Sequence, residues 1–255
     1  MRYEDIRKSV SAYLDRTGYA AMDLKYAMFD MDGVLFDSMP YHAKTWVQVM
    51  AETGIPFSED DAYINEGRKG VATIELAVKR MGMPEMTKDE IQAIYDEKCE
   101  LFNACGEAGP MNGTLQLVKS LESHGVRMTV VTGSAQQSLL RRIESAYPSL
   151  FELDKMVTAN DVVHGKPDPE PYLTGLHKMN AKQWEAVVVE NAPLGAQAGR
   201  AAGVFTVVVN TGPLPDATLR DSGADLLFHD MDEFRDSLAT LFEVIRNTVN
   251  ENGRK

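Results

Sequence analysis

Cysteine is scarce in this chain. Two occur in 255 residues, Cys99 and Cys105. No Cys/His set at zinc-ligand spacing lies beside them, so neither a disulfide framework nor a structural zinc site is expected. Long apolar runs are also missing: none approaches the roughly 20 residues that a membrane span requires. Residues 1–20 are charged throughout, unlike a signal sequence. Basic charge is short, with 26 Lys and Arg against 38 Asp and Glu and a net charge of −12. Nucleic-acid phosphates and anionic membrane surfaces are therefore disfavoured as main partners. A cytoplasmic monomer is the default these absences leave. A small anionic ligand stays open, because one local cation or a divalent metal suffices to hold it.

What is present is material for a core. A composition 44% hydrophobic and 25% charged suits one globular unit or two modest ones. Short apolar and β-branched runs recur at 27–30, 127–133, 186–190, 204–209 and 224–228. Helix-length segments separate them, some with clear ends, such as Gly125 after one apolar turn and Pro193 and Gly203 around another. Buried strands alternating with helices predict a parallel α/β sheet. From 39 to 108 no strand pattern occurs, and the helical periodicity there predicts an inserted helical domain. The expected layout is an N-terminal helical extension over 1–20, an α/β core over 21–38 and 109–255, and a helical cap over 39–108. The first and last helical segments read as amphipathic flanks that pack on the core.

Ligands of open parallel sheets bind outside the carboxyl ends of the strands. Polar residues that follow apolar strands are therefore the candidates: Asp30 and Asp32 in "FDMDGVLFDS", Thr132, Gly133 and Ser134 in "VTGS", Lys166 in "HGKPDPEPY", and Glu190 with Asn191 in "VVVENAPLG". A lone DxDG can be an ordinary turn. Four such motifs in order, each at a strand end, are not explained that way.

In this order the motifs resemble those of the haloacid dehalogenase superfamily, and the likeness runs from Tyr26 to Phe228. The helical interval is similar to the C1 cap of its β-phosphoglucomutase branch, which implies a Rossmann-like core. The resemblance implies Asp30 as nucleophile, forming an aspartyl phosphate. It implies Asp32 as general acid and base, and Lys166, Thr132, Gly133 and Ser134 as phosphate ligands. Mg²⁺ would be held by Asp30, the Asp32 carbonyl, Glu190 and Asn191. Asp32 argues against the dehalogenase and phosphonatase members, which lack an acid there. Asn191 departs from the commoner acidic pair and leaves less negative charge for the metal. Asp37 reads as a residue of the core-to-cap hinge.

Four cap residues are substrate candidates: His42, Glu66, Tyr95 and Lys98. Glu66 stands where sugar-phosphate mutases use basic residues, and an acid there repels a distal phosphate unless a metal lies between. Lys98 falls on the apolar face of Ile91, Ile94, Leu101 and Cys105; it either snorkels to solvent or turns into the cleft, where Tyr95 would join it. His42 either couples cap closure to Asp32 or packs against Trp46. Arg68 and Lys69 could contact phosphate, but a basic pair in a loop reads first as solvated surface; Arg141 and Arg142 read as an exposed helix, and Met81, Met83 and Met86 as packing. Glu66 together with Asn191 is similar to the superfamily's inorganic pyrophosphatases, which makes pyrophosphate hydrolysis the first expectation. A β-phosphoglucomutase or sugar-phosphate phosphatase is the alternative, and a non-catalytic phosphate-binding module the third. The expected partner in the first two is a small phosphorylated substrate.

Overall fold

The computed structural model describes residues 1–134 and 138–252. Its sheet contains β1 (Tyr26–Phe29), β2 (Arg127–Val130), β3 (Ala186–Glu190), β4 (Phe205–Val209) and β5 (Leu226–Phe228). All pairings are parallel, in the order β2-β1-β3-β4-β5. Every residue of β3 and β4 is buried, which is why these strands read as unbroken apolar runs instead of alternating ones. Val187 and Val189 enter one apolar cluster, while Ala186 and Val188 enter another on the opposite face. The first face is covered by α1 (Tyr3–Thr17), α6 (Thr114–Ser123), α7 (Ser138–Ala146) and α11 (Met231–Asn252). The second is covered by α8 (Glu170–Met179) and α9 (Pro193–Ala201), and α10 (Asp216–Asp221) precedes β5. The fold is thus the α/β, Rossmann-like class expected.

Helix α1 is part of the core and more than a flank. Ile6, Val10 and Tyr13 are fully buried. The Tyr13 hydroxyl donates to the Gly203 carbonyl at 3.2 Å, and Arg16 pairs with Asp225 at 2.9 Å.

Between β1 and β2 lie α2 (Met39–Glu52), α3 (Glu59–Ile64), α4 (Gly70–Arg80) and α5 (Lys88–Ala104). They share their own cluster, with Trp46, Val49, Ile74, Val78, Ile91 and Ile94 at its centre. Capping boxes start two of them, Ser58 with Asp61 on α3 and Thr87 with Glu90 on α5. Met83 and Met86 pack on this cluster as expected, whereas Met81 is 44% exposed. Met81 follows the last turn of α4, whose buried face ends at Val78.

Two strands of chain connect this layer to the sheet. The Asp37 amide donates to the Gly109 carbonyl at 3.0 Å, and Met111 donates to Leu35 at 2.8 Å. Asp37 therefore lies in the paired connection. Helix α7 braces the same region: the Tyr147 hydroxyl donates to the Leu35 carbonyl, and Arg142 donates to the Ala108 carbonyl at 2.8 Å. The Arg142 guanidinium also stands 3.9 Å from the centre of the Phe36 ring. Arg141 is exposed, but Arg142 is half-buried, a correction to the expectation of two surface arginines.

Candidate active site

The sheet order reverses between β1 and β3, and side chains from both strand ends meet in the resulting crevice. Asp30 follows the last residue of β1, and Glu190 is the last residue of β3. Both are nearly inaccessible, at 4% and 1% exposure, and Lys166 at 2% lies between them. Its ammonium contacts Asp30, is 2.6 Å from Glu190 and donates to the Val131 carbonyl at 3.2 Å. One cation thus sits between two carboxylates in a dry setting, where an unpaired charge would be costly. Thr132 is buried after β2, and its hydroxyl accepts from the Ser134 amide at 3.1 Å, which closes the 132–134 turn.

Two glycines permit these approaches. A Cβ on Gly195 would lie 1.9 Å from the Glu190 carboxyl carbon, so only glycine lets α9 begin against that side chain. Gly33 has φ +78°, and a Cβ there would meet the Asn191 amide nitrogen at 2.0 Å. The Gly33 carbonyl in turn accepts from Thr211 at 2.6 Å.

The helical layer closes over this crevice. Glu66, in the turn after α3, accepts from the Asn191 amide at 3.2 Å through Oε2. Lys98 is 4% exposed and turns inward, which settles its alternative in favour of the cleft. Its ammonium donates to His42 Nδ1 at 2.8 Å, leaving Nε2 as the ring donor, 3.4 Å from Asp32. Ser38 donates to the same Asp32 oxygen at 2.5 Å. The His42 ring stacks on Phe102 at 4.0 Å, so its packing partner is that ring in place of the Trp46 expected. Lys98 lies over the Trp46 and Phe102 rings, at 5.3 and 4.7 Å. Tyr95 lines the same cavity, stacked near Trp46 and pressed against Gly70, where a Cβ would fall 2.0 Å from its ring. The cleft between cap and core, of about 90 Å³, is partly open and is bordered by Asp30, Asp32, Glu66, Tyr95, Lys98 and Thr132.

All the core and cap candidates named from the sequence therefore surround one crevice. Arg68 and Lys69 are exceptions to their reading as solvated surface: Arg68 is half-buried, borders the cavity and donates to Asn65 Oδ1 at 3.2 Å, and Lys69 is half-buried and donates to the Val162 and Val163 carbonyls at 2.9 and 2.8 Å. Tyr172 was not singled out, yet its buried hydroxyl donates to Glu190. Its place in "KPDPEPY", six residues after Lys166, was the available signal.

The titration pattern follows from crowding. Burial, with Glu190 and Asp32 close by, raises Asp30 to about 7 in spite of Lys166. Burial and the same acidic neighbours push Glu66 well above the usual carboxyl range. Burial would lift Asp32 as well, but His42, Ser38 and Lys98 outweigh it and hold that carboxyl at about 2. Burial lowers Lys98 to about 8 and, with Lys98 beside it, lowers His42. Lys166 goes the other way, since Asp30 and Glu190 overcome its desolvation and raise it.

These residues fit a hard divalent cation. Glu66 Oε1 and Asn191 Oδ1 are buried oxygens without a hydrogen-bond partner. Asn191 Oδ1 accepts only, and Glu66 Oε1 does so once ionised; the carboxyls around them are pushed toward protonation by burial and mutual repulsion, and oxygen donors are what Mg²⁺ prefers. Elsewhere, His164, Asp168 and Glu170 bring ligand atoms within 4.8 Å of one another at the surface. That trio is explained by local turns: Glu170 accepts from the Val163 and His164 amides, and Asp168 from the Glu170 amide.

A parallel sheet with an aspartate-bearing turn after its first strand, a buried lysine, a strand-end acid and a helical lid is an arrangement suited to phosphoryl transfer. Comparison with known proteins makes this specific. Residues 27–209 match the family described as haloacid dehalogenase-like hydrolase, and the chain belongs to that family. It is 30% identical over 211 residues to the validoxylamine A 7'-phosphate phosphatase of Streptomyces hygroscopicus subsp. limoneus, covering 83% of this chain and 96% of that one. It is 25% identical over 227 residues to the β-phosphoglucomutase of Bacillus subtilis (strain 168), covering 83% and 97%. A solved structure from Bacteroides vulgatus, provisionally called a β-phosphoglucomutase, superposes with a TM-score of 0.91 at 46% identity, covering 96% of this chain and 99% of that one. No described helix is long and apolar enough to cross a membrane.

Proposed function

We propose that the chain is a Mg²⁺-dependent phosphohydrolase working through an aspartyl phosphate on Asp30, with inorganic pyrophosphate as its substrate. The observation that carries the choice of substrate is Glu66, whose carboxylate reaches from the helical cap to Asn191. Asn191 supplies no charge where the family commonly has an acid, and Glu66 brings that charge from the other side.

In this reading Asp30 attacks phosphorus, and the bond to the leaving phosphate oxygen breaks. Lys166 balances the charge of Asp30 and of the incoming phosphoryl group, while Thr132, Gly133 and Ser134 hold its oxygens. Its neighbours keep Asp32 ionised, so it passes to the leaving oxygen a proton taken up with the substrate, and then takes one from the water that cleaves the aspartyl phosphate. His42 Nε2 and the Ser38 hydroxyl orient it for both transfers. When bound, Mg²⁺ would be held by Asp30, the Asp32 carbonyl, Glu190, Asn191 and Glu66, and would offset the repulsion between carboxylate and phosphoryl oxygens. Closure excludes water other than the one that reacts.

The relatives' names favour a second reading, sugar-phosphate hydrolysis or phosphoglucomutase activity, and none of those named above is a pyrophosphatase. Both readings use the same core residues, and they part at the cap. The deciding measurement is phosphate release with Mg²⁺ from pyrophosphate and from hexose phosphates, together with conversion of β-glucose 1-phosphate. The expected outcome is a kcat/KM for pyrophosphate at least about tenfold above any sugar phosphate, on the order of the loss that follows when a charged partner is missing. Preferential turnover of β-glucose 1-phosphate would replace pyrophosphate by the second reading.

A further inference from the structure

Lys69 has no reason to be a lysine if only its own helix is considered. It is the N-cap residue just before α4, and a positive charge at a helix N-terminus faces the positive end of the helix dipole. Its side chain leaves the helix and crosses to the core, where the ammonium donates to two backbone carbonyls, Val162 at 2.9 Å and Val163 at 2.8 Å. The loop it reaches leads directly into Lys166. The crossing is close: a Cβ on Gly165 would lie 3.1 Å from Lys69 Cγ. On the cap side, Lys69 is three residues from Glu66, and Gly67 between them packs on the Lys166 stem, where a Cβ would fall 2.8 Å from Lys166 Cδ.

We infer that Lys69 is a positioning residue that latches the cap loop carrying Glu66 onto the core loop carrying Lys166. The inference rests on the site reading above, but on its geometry and not on pyrophosphate as substrate. Two hydrogen bonds from one charged donor to neutral carbonyls hold the loops in register without adding a charge to the cavity. The latch is also reversible, since carbonyls released on opening are readily solvated. A second contact on the opposite side of Glu66, Tyr63 against Gly212 at 3.1 Å from its would-be Cβ, keeps the loop from pivoting about the latch alone.

Cys99 offers a readout independent of turnover because it is half-buried and lines the cavity, so opening would expose it further. In a Cys105→Ser background, a small thiol reagent reports opening through the rate of Cys99 labelling. Lys69→Met keeps the length of the stem and removes the donors, whereas Lys69→Arg keeps a charged double donor. Lys69→Met is expected to raise the labelling rate and to lower kcat/KM, each by roughly tenfold, the scale of a lost charge-assisted hydrogen bond. The loss in kcat/KM should be the same factor for pyrophosphate and for a hexose phosphate, and Lys69→Arg should restore most of both. Unchanged labelling in Lys69→Met would overturn the latch. So would a loss confined to one substrate, which would make Lys69 a substrate contact. If hexose phosphates prove the better substrates, pyrophosphate falls as the substrate, while equal loss factors and faster labelling still establish the latch.

Discussion

The proposed mechanism needs Asp30 as a nucleophile where its own surroundings favour the protonated acid. Burial raises it to about 7, and in the folded chain it keeps a proton that the unfolded chain has already lost. The sign of the linkage follows: without metal, its contribution to stability falls as pH climbs from the ordinary carboxyl range toward about 7. A cation that needs the ionised form must displace that proton, so its affinity rises with pH over the same window. Mg²⁺ affinity measured by calorimetry is expected to be about tenfold higher at pH 8 than at pH 6, the change for one displaced proton. Equal affinities would remove Asp30 from the metal site. Asp30→Asn should leave the fold intact and abolish turnover, and residual phosphate release at even a hundredth of the original rate would remove it as nucleophile. At this scale the sequence is most informative where chemistry follows a strand end, as at Asp30, Thr132 and Glu190. It is silent at Lys69 and Arg142, whose partners are backbone carbonyls distant in the chain. Any residue supplies a carbonyl, so such a pairing leaves no trace in residue types.

Elements transmit these positions through glycine as much as through side chains. The first turn of α9 lies against Glu190 only because Gly195 has no Cβ. Gly195→Ala is expected to cost roughly 1–3 kcal/mol in denaturant unfolding, the range for overpacking a tight site. Displacement of Glu190 should also lower Mg²⁺ affinity. A variant with wild-type stability and affinity would show that α9 shifts freely, against the close approach described. The five strands are legible because both faces of the sheet are covered and their apolar runs are unbroken. The cap helices are legible from periodicity and from the capping boxes at Ser58 and Thr87. The bracing role of α7 is not, since it depends on Tyr147 and Arg142 reaching the two connections between layers.

For the molecule as a whole, the N-terminal helix and the cap act on different properties. Removing residues 1–18 would uncover the α1 contacts of Ile6, Val10, Tyr13 and Leu14. At about 1.5–3 kcal/mol per large apolar side chain, this approaches the entire margin of a typical domain. The truncated chain is therefore expected to be insoluble or unfolded by circular dichroism, and a soluble, cooperatively folding product would reduce α1 to a decoration. The substrate is the least legible property of all. It depends on how the cap meets the core, and that junction joins parts of the chain far apart in sequence.

That junction also limits what the protein could become. A Cβ on Gly133 would lie 3.2 Å from the Gly67 carbonyl oxygen, so backbone rests on backbone where the lid meets the 132–134 turn. Any larger residue at either position would act as a doorstop and hold the lid ajar. Adaptation to a bulkier leaving group could not begin at this seam without admitting solvent. The space would have to come from the opposite wall, by trimming Trp46 or Phe102, where side chains can be shortened while the two glycines stay shut.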